Sequence, residues 1–207
     1  MMRLYYSPGA CSLSPHIVLR EAGYDFELKK VSLGDKAIEG GGDYRQVNPK
    51  GYVPTLELDD GTRLTEGPAI VQYLADHRPD AGLAPANGTL ERYRLQEWLN
   101  FISTEVHKGF SPLFNKQIAD VVRTATVDRL SQRLAWVAGQ LDGKGYVLGE
   151  RFTVADAYMF AVLRWAKPNG LELSRWPTIA DWFARVAARP AVKEALAAEK
   201  LDRAAQH

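Results

Sequence analysis

Apolar positions open the chain at Leu4, Tyr5 and Tyr6, which read as the end of a short strand. Ser7-Pro8-Gly9 is turn chemistry, with Pro fixing φ and Gly permitting an unusual backbone. Leu13, Ile17 and the run Leu19 to Ala22 then fit a helix that Gly23 stops. In Phe26-Glu27-Leu28-Lys29-Lys30-Val31, Phe26 and Leu28 alternate with charge, the pattern of a second strand. Strand–helix–strand implies a parallel pair joined by a right-handed crossover. Gly34 to Asn48 is mixed: Gly40-Gly41-Gly42 interrupts it, and Tyr44 to Val47 suits one helical turn. Leu56 and Leu58 alternate with Glu57 and Asp59, Asp60-Gly61 turns, and Arg63-Leu64-Thr65 returns antiparallel. Glu66-Gly67-Pro68-Ala69-Ile70 opens a helix whose apolar face holds Ile70, Val71, Tyr73 and Leu74. The order predicts a small four-stranded mixed sheet with helices.

The period changes after a Pro- and Gly-rich stretch from Arg78 to Gly88. We place the linker at 81–88, between a sheet-containing unit 1–80 and a helical unit 89–207. Thr89 is the N-cap of a helix expected from Leu90 to about Lys108. Leu95, Trp98, Leu99, Ile102 and Val106 form its apolar stripe, and Asn100, Ser103, Thr104 and His107 a polar one. A second amphipathic helix runs through Val127, Leu130, Leu134, Val137, Ala138 and Leu141, ended by Gly143 and Gly145. Thr153-Val154-Ala155-Asp156 is a capping-box variant opening a very apolar helix, Ala157 to Ala166. Trp176-Pro177-Thr178 starts a helix with Ile179, Trp182, Phe183 and Val186, and Arg189-Pro190 separates it from a last one through Val192 and Leu196.

The 207 residues are 46% hydrophobic and 25% charged, enough for a sizeable core. A net charge of +1 gives no general field for nucleic acid or anionic membrane. One cysteine excludes an internal disulfide framework and a Cys-rich zinc site, and suits a reducing compartment. The chain enters its first strand directly and has no run of about 18 apolar residues, so neither signal peptide nor membrane span is expected, and cytoplasm is the expected location.

The candidate chemistry gathers at three breaks in the first unit. Cys11 falls near a helix N-terminus, where free N–H groups and the dipole favour a thiolate and are expected to lower its pKa. A lone Cys also serves as a small buried hydrophobe. Pro54 precedes a strand: a cis bond there would free the backbone of Val53 to pair with an extended peptide ligand, whereas a trans bond would only start an edge strand. Glu66 stands where N–H groups are unsatisfied, and Gly67 allows close approach; the same carboxylate alone would complement a helix dipole. On the helical side, His107 and Asn100 would serve the site if their face looks at Cys11, and would otherwise be solvated. Asp156 reads as structural, Trp165 as core packing or a cleft wall, and His16, His77 and His207 as surface residues.

Together these segments resemble the soluble glutathione transferases, specifically the bacterial beta class. The likeness is carried by Leu4-Tyr5-Tyr6-Ser7-Pro8-Gly9-Ala10-Cys11-Ser12-Leu13-Ser14-Pro15-His16 and by Asn48-Pro49-Lys50-Gly51-Tyr52-Val53-Pro54. Leu64-Thr65-Glu66-Gly67-Pro68-Ala69-Ile70-Val71-Gln72-Tyr73-Leu74, Asn100-Phe101-Ile102-Ser103-Thr104-Glu105-Val106-His107-Lys108 and the Thr153 to Asp156 box extend it over the chain. The resemblance implies an α/β thioredoxin-like N-terminal domain, an all-α C-terminal helical domain and a two-fold homodimer. It implies glutathione as co-substrate and an electrophilic small molecule of aryl or alkyl halide type as its partner. Cys11 would face the glutathione sulfur, with His107 beside it as the second catalytic candidate. Val53, next to a cis Pro54, would give backbone bonds to the cysteinyl part, and Ala10, Leu33, Tyr52 and Pro54 would also bind glutathione. Glu66 and Gly67 would hold the γ-glutamyl end, Gly67 standing where many relatives have Ser. Asn100, Glu105, His107 and Lys108 would face the site from the helical domain, and Phe110, Phe114 and Trp165 would wall the electrophile cleft. Two alternatives stay open: a monothiol disulfide reductase or deglutathionylase acting through Cys11, and a non-catalytic ligand-binding module.

Overall fold

The computed structural model of the protein describes residues 1–202, so His207 lies outside the described residues. Strands β1 (Met2–Tyr6), β2 (Phe26–Lys30), β3 (Thr55–Glu57) and β4 (Arg63–Thr65) form one sheet in the order β2-β1-β3-β4. β1 and β2 run parallel around helix α1 (Leu13–Glu21), and β3 and β4 are antiparallel to their neighbours. The register aligns Leu28, Leu4, Leu56 and Leu64 across the four strands. Such a row on one face selects one register, because a slip of one residue would turn every leucine outward. Leu13, Ile17, Val18 and Leu19 of α1 and Ile70, Val71 and Leu74 of helix α2 (Gly67–Asp76) belong to the same apolar core as Leu4 and Leu56. The opposite face carries a separate small cluster of Tyr5, Val31, Tyr44 and Val53. There the Tyr44–Gln46 turn, capped by Asp43, lays Tyr44 against Tyr5 and bonds its hydroxyl to Thr55 Oγ1 at 2.7 Å.

The helical part comprises α3 (Leu90–Phe101), a π-helical turn at Ile102–His107, α4 (Lys108–Phe110), α5 (Asp120–Leu141), α6 (Val154–Leu163), α7 (Pro177–Ala187) and α8 (Pro190–Ala198). All residues of α6 are buried, in keeping with its unbroken apolar composition. Its first turn is closed by Asp156, which accepts hydrogen bonds from the Thr153 N–H and hydroxyl. The 77–89 connection is pinned: Leu83 is buried and its carbonyl accepts the Val154 N–H, while Arg92 binds Asp76 and the Pro85 carbonyl. No helix among the described residues is long and apolar enough to cross a membrane.

Two expectations are corrected. The helix from Leu90 does not continue in one register to Lys108: an i→i+5 turn of six residues interrupts it. His16 is fully buried, not at the surface, because α1 is packed between the sheet, α6 and α8. Its Nδ1 donates to Glu199 at the end of α8, a partner far away in sequence.

Candidate active site

β1 delivers the chain into the Ser7–Ser12 loop, whose turn needs Gly9 at φ 72°. Both sides of the Gly9 residue are held by the helical part. Its N–H donates to Glu199 Oε2 at 2.9 Å, and its carbonyl accepts the Trp165 indole N–H at 2.8 Å. Within the loop, Ser12 Oγ accepts the Ser7 N–H and donates to the Ser7 carbonyl. Cys11 follows, just ahead of the Ser12 N-cap of α1, and its Sγ donates to the Val53 carbonyl at 3.4 Å. The Val53–Pro54 bond is cis, and Val53 and Pro54 line the cleft.

A cleft of about 580 Å³ opens between this loop and the helices. It brings together Ala10, Cys11, Leu33, Tyr52, Val53, Pro54, Glu66 and Gly67 from the sheet side. His107, Lys108, Phe114 and Trp165 face them from the helical side. Trp165 organises that wall, meeting His107, Phe114 and Phe110 edge-on at ring distances of 5.1, 5.2 and 5.9 Å. Glu66 is the N-cap of α2 with φ 67°, and its carboxylate reaches Lys50 Nζ at 2.5 Å. Lys50 Nζ also donates to Thr65 Oγ1 at 2.9 Å. At Gly67 a Cβ would meet open space, so packing does not require glycine there.

Three of the predicted positions lie off the cleft. The wide turn breaks the 3.6-residue register, so Ser103 and His107 reach the cleft while Asn100 is exposed elsewhere on α3. Glu105 is drawn to the α5 side by Arg133 at 2.7 Å and Arg129 at 3.2 Å. Phe110 is fully buried behind Trp165 and supports the wall instead of forming it. Tyr158, Ser103, Lys50, Thr65 and Asn48 line the cleft without having been predicted to. Tyr158 had one legible signal: apart from Asp156 it is the only residue with a polar oxygen in the side chains of α6. A buried phenol tip needs a partner.

The electrostatics differ from the expectation at Cys11, and His107 is perturbed as well. Burial pushes the Cys11 thiol up to about 11, against the backbone N–H groups of Cys11 and Ser12 and the charge of Lys108. Cys11 precedes the first helical turn, so the dipole acts weakly there and desolvation of the partly buried thiol prevails. Burial, then the Lys108 charge, brings His107 down to about 4, so its ring is neutral. Alkylation of Cys11 by iodoacetamide near pH ~8.5 is therefore expected to run about 100-fold slower than that of a free cysteine with pKa ~8.5. Comparable rates in a pH series on the native protein would contradict the buried-thiol geometry.

A thioredoxin-like sheet with a cis-Pro edge, a thiol loop and an aromatic-walled helical cleft defines the two-domain glutathione-dependent enzymes. The comparisons agree along the chain. Residues 9–77 match the glutathione S-transferase N-terminal domain and residues 101–190 the C-terminal domain. Glutathione S-transferase GstA of Escherichia coli O157:H7 is 50% identical over 200 residues, covering 97% of this chain and 100% of that protein. The solved ternary complex of BphK, a bacterial glutathione transferase, superposes with TM-score 0.94 at 57% identity, covering 96% of this chain and 100% of that one. The beta-class enzyme of Sphingomonas chungbukensis gives 0.93 at 46% identity, over 96% and 99% of the two chains. The chain belongs to the glutathione S-transferase family, in its bacterial beta class, and is a glutathione transferase with glutathione as co-substrate.

Proposed function

We propose that this transferase binds glutathione along the Val53 edge, with the γ-glutamyl end at Glu66 and Gly67 and the sulfur beside Cys11. The electrophile then lies against Phe114 and Trp165, and an aryl or alkyl halide suits that apolar, edge-on aromatic wall. The thiol proton leaves to solvent, the thiolate attacks the carbon bearing the halogen, a C–S bond forms and halide departs with the bonding pair. Holding both reactants in one cleft supplies much of the acceleration. Lys50 bridging Glu66 and Thr65 supports the γ-glutamyl assignment, because a pair of opposite charges matches the ammonium and carboxylate of that end. A two-fold homodimer is part of this reading, in which exposed Leu90, Tyr93 and Trp136 on α3 and α5 would be covered.

The observation that carries the reading is the placement of Cys11 in the cleft, with its Sγ 3.4 Å from the Val53 carbonyl. A thiol donating there, with burial favouring its protonated form, suits a hydrogen-bonding neighbour for another sulfur. A disulfide reductase would need that same group as a thiolate nucleophile. Conjugation of a generic aryl halide is expected in the parent and, within about threefold, in Cys11→Ala. Loss of all conjugation in Cys11→Ala, with a glutathionylated Cys11 seen by mass spectrometry in the parent, would move the assignment to the covalent reductase.

A further inference from the structure

His107 makes a hydrogen bond that glutathione binding alone does not call for. Its Nδ1 lies 2.6 Å from the phenol oxygen of Tyr158, a side chain of α6 that is 2% exposed. A phenol has one proton to place, and a buried O–H is almost always donated. Nδ1 at 2.6 Å is the acceptor found for it among the described residues, and the nearby Ser103 side chain favours the phenolate, as a hydroxyl donating to the phenol oxygen does. A ring nitrogen that accepts carries no proton, so a neutral imidazole held this way is protonated on Nε2. The ring is further fixed by edge contacts to Tyr158 at 5.8 Å and Trp165 at 5.1 Å. The π-helical turn that carries Ser103 and His107 into the cleft makes this contact available.

We infer that Tyr158 is a positioning residue that fixes His107 in the Nε2–H tautomer, so that His107 serves the bound sulfur as a hydrogen-bond donor and not as a general base. The inference rests on the reading of this cleft as the glutathione site. The other groups that face the pair support the same protonation. Lys108 on the same segment disfavours a charged ring, while Glu66 before α2 favours it more weakly than burial opposes it. Burial, assisted by the nearby Cys11 and Glu66, keeps the Tyr158 phenol protonated, and Ser103 acts against them. A donor aimed at a thiolate lowers the pKa of the bound thiol, whereas a base would remove its proton and become charged in an apolar wall.

The test is the tautomer itself, read on the full-length protein labelled with 15N-histidine by long-range 1H–15N correlation, with His107→Gln assigning the signal. The parent is expected to show the Nε2–H form, and Tyr158→Phe a mixture of both. In Tyr158→Phe the thiol of bound glutathione, followed by thiolate absorbance against pH, is expected to rise by about one unit, a tenfold loss of thiolate. The kcat near neutral pH should fall about tenfold, with KM for glutathione within about twofold. His107→Ala should lose about tenfold in kcat, and His107→Gln, which returns an N–H donor, should recover about threefold of that. An Nδ1–H tautomer in the parent, or a Tyr158→Phe protein with unchanged tautomer and thiol pKa, overturns the inference. If Tyr158→Phe does not fold, the parent tautomer and the Ala/Gln pair decide it. Failure of the glutathione-site reading is seen separately, as cleft resonances that do not move when glutathione is added.

Discussion

Asp156→Ala is expected to lower the unfolding free energy by about 3–5 kcal/mol, the largest loss from any single side chain considered for this protein. The carboxylate is fully buried and serves four donors from three segments. Oδ1 accepts the Val147 N–H at 2.8 Å and the Trp182 indole N–H at 2.9 Å. Oδ2 accepts the Thr153 N–H at 2.9 Å and the Thr153 hydroxyl at 3.0 Å. Removing it leaves at least three N–H groups without an acceptor in the centre of the helical part, each costing about 1–3 kcal/mol when buried. Asp156→Asn should recover little, because its NH2 would replace one oxygen and face donors that need an acceptor. Burial raises the Asp156 pKa even with these bonds, which shows how far the site is from water. Urea unfolding of the three proteins measures the effect. A Asp156→Ala midpoint close to the parent's would mean that the Thr153 turn holds without its carboxylate.

The capping box was legible because it is local: Thr and Asp three residues apart before an apolar run specify it without any partner. The sheet was legible for a similar reason, since Leu4, Leu28, Leu56 and Leu64 sit in short alternating runs separated by Gly and Pro turns. The helix start at Gly67 followed from backbone chemistry that one or two residues determine, whereas the residues around Pro54 left a cis and a trans bond open, and only the family resemblance implied the cis bond that is present. The π-helical turn left no such mark, because Ile102 to His107 reads as ordinary amphipathic helix. Its consequence was to separate Asn100 from Ser103 and His107, which a 3.6-residue period places together. Glu105 depended on Arg129 and Arg133 of another helix, and no local pattern reports which way such a carboxylate turns. The Cys11 thiol had a legible helix end but an illegible desolvation, and desolvation is the larger effect.

Glu199→Ala is expected to weaken both the fold and the glutathione site, with a loss of about 2–4 kcal/mol in stability and about a tenfold rise in KM for glutathione. Glu199 Oε1 accepts from His16 Nδ1 at 2.8 Å and Oε2 from the Gly9 N–H at 2.9 Å, with both side chains of the Glu–His pair fully enclosed. Arg20 Nε donates to His16 Nε2 at 3.0 Å, so the ring is neutral with its proton on Nδ1, and Glu199 is the only acceptor for that proton among the described residues. Removing the carboxylate therefore leaves the buried His16 Nδ1–H and the part-buried Gly9 N–H without this acceptor, the latter in the loop that positions Cys11. The opposite clamp, from Trp165 to the Gly9 carbonyl, remains, which is why the loop should loosen without being lost. A rise confined to KM, with kcat changed less than about threefold, would separate loop positioning from chemistry. Glu199→Gln keeps one acceptor oxygen but turns an NH2 toward the other donor, so it should fall between parent and Ala in both readouts. Equal KM values in all three proteins would show that the end of α8 stabilises the fold without controlling the thiol loop.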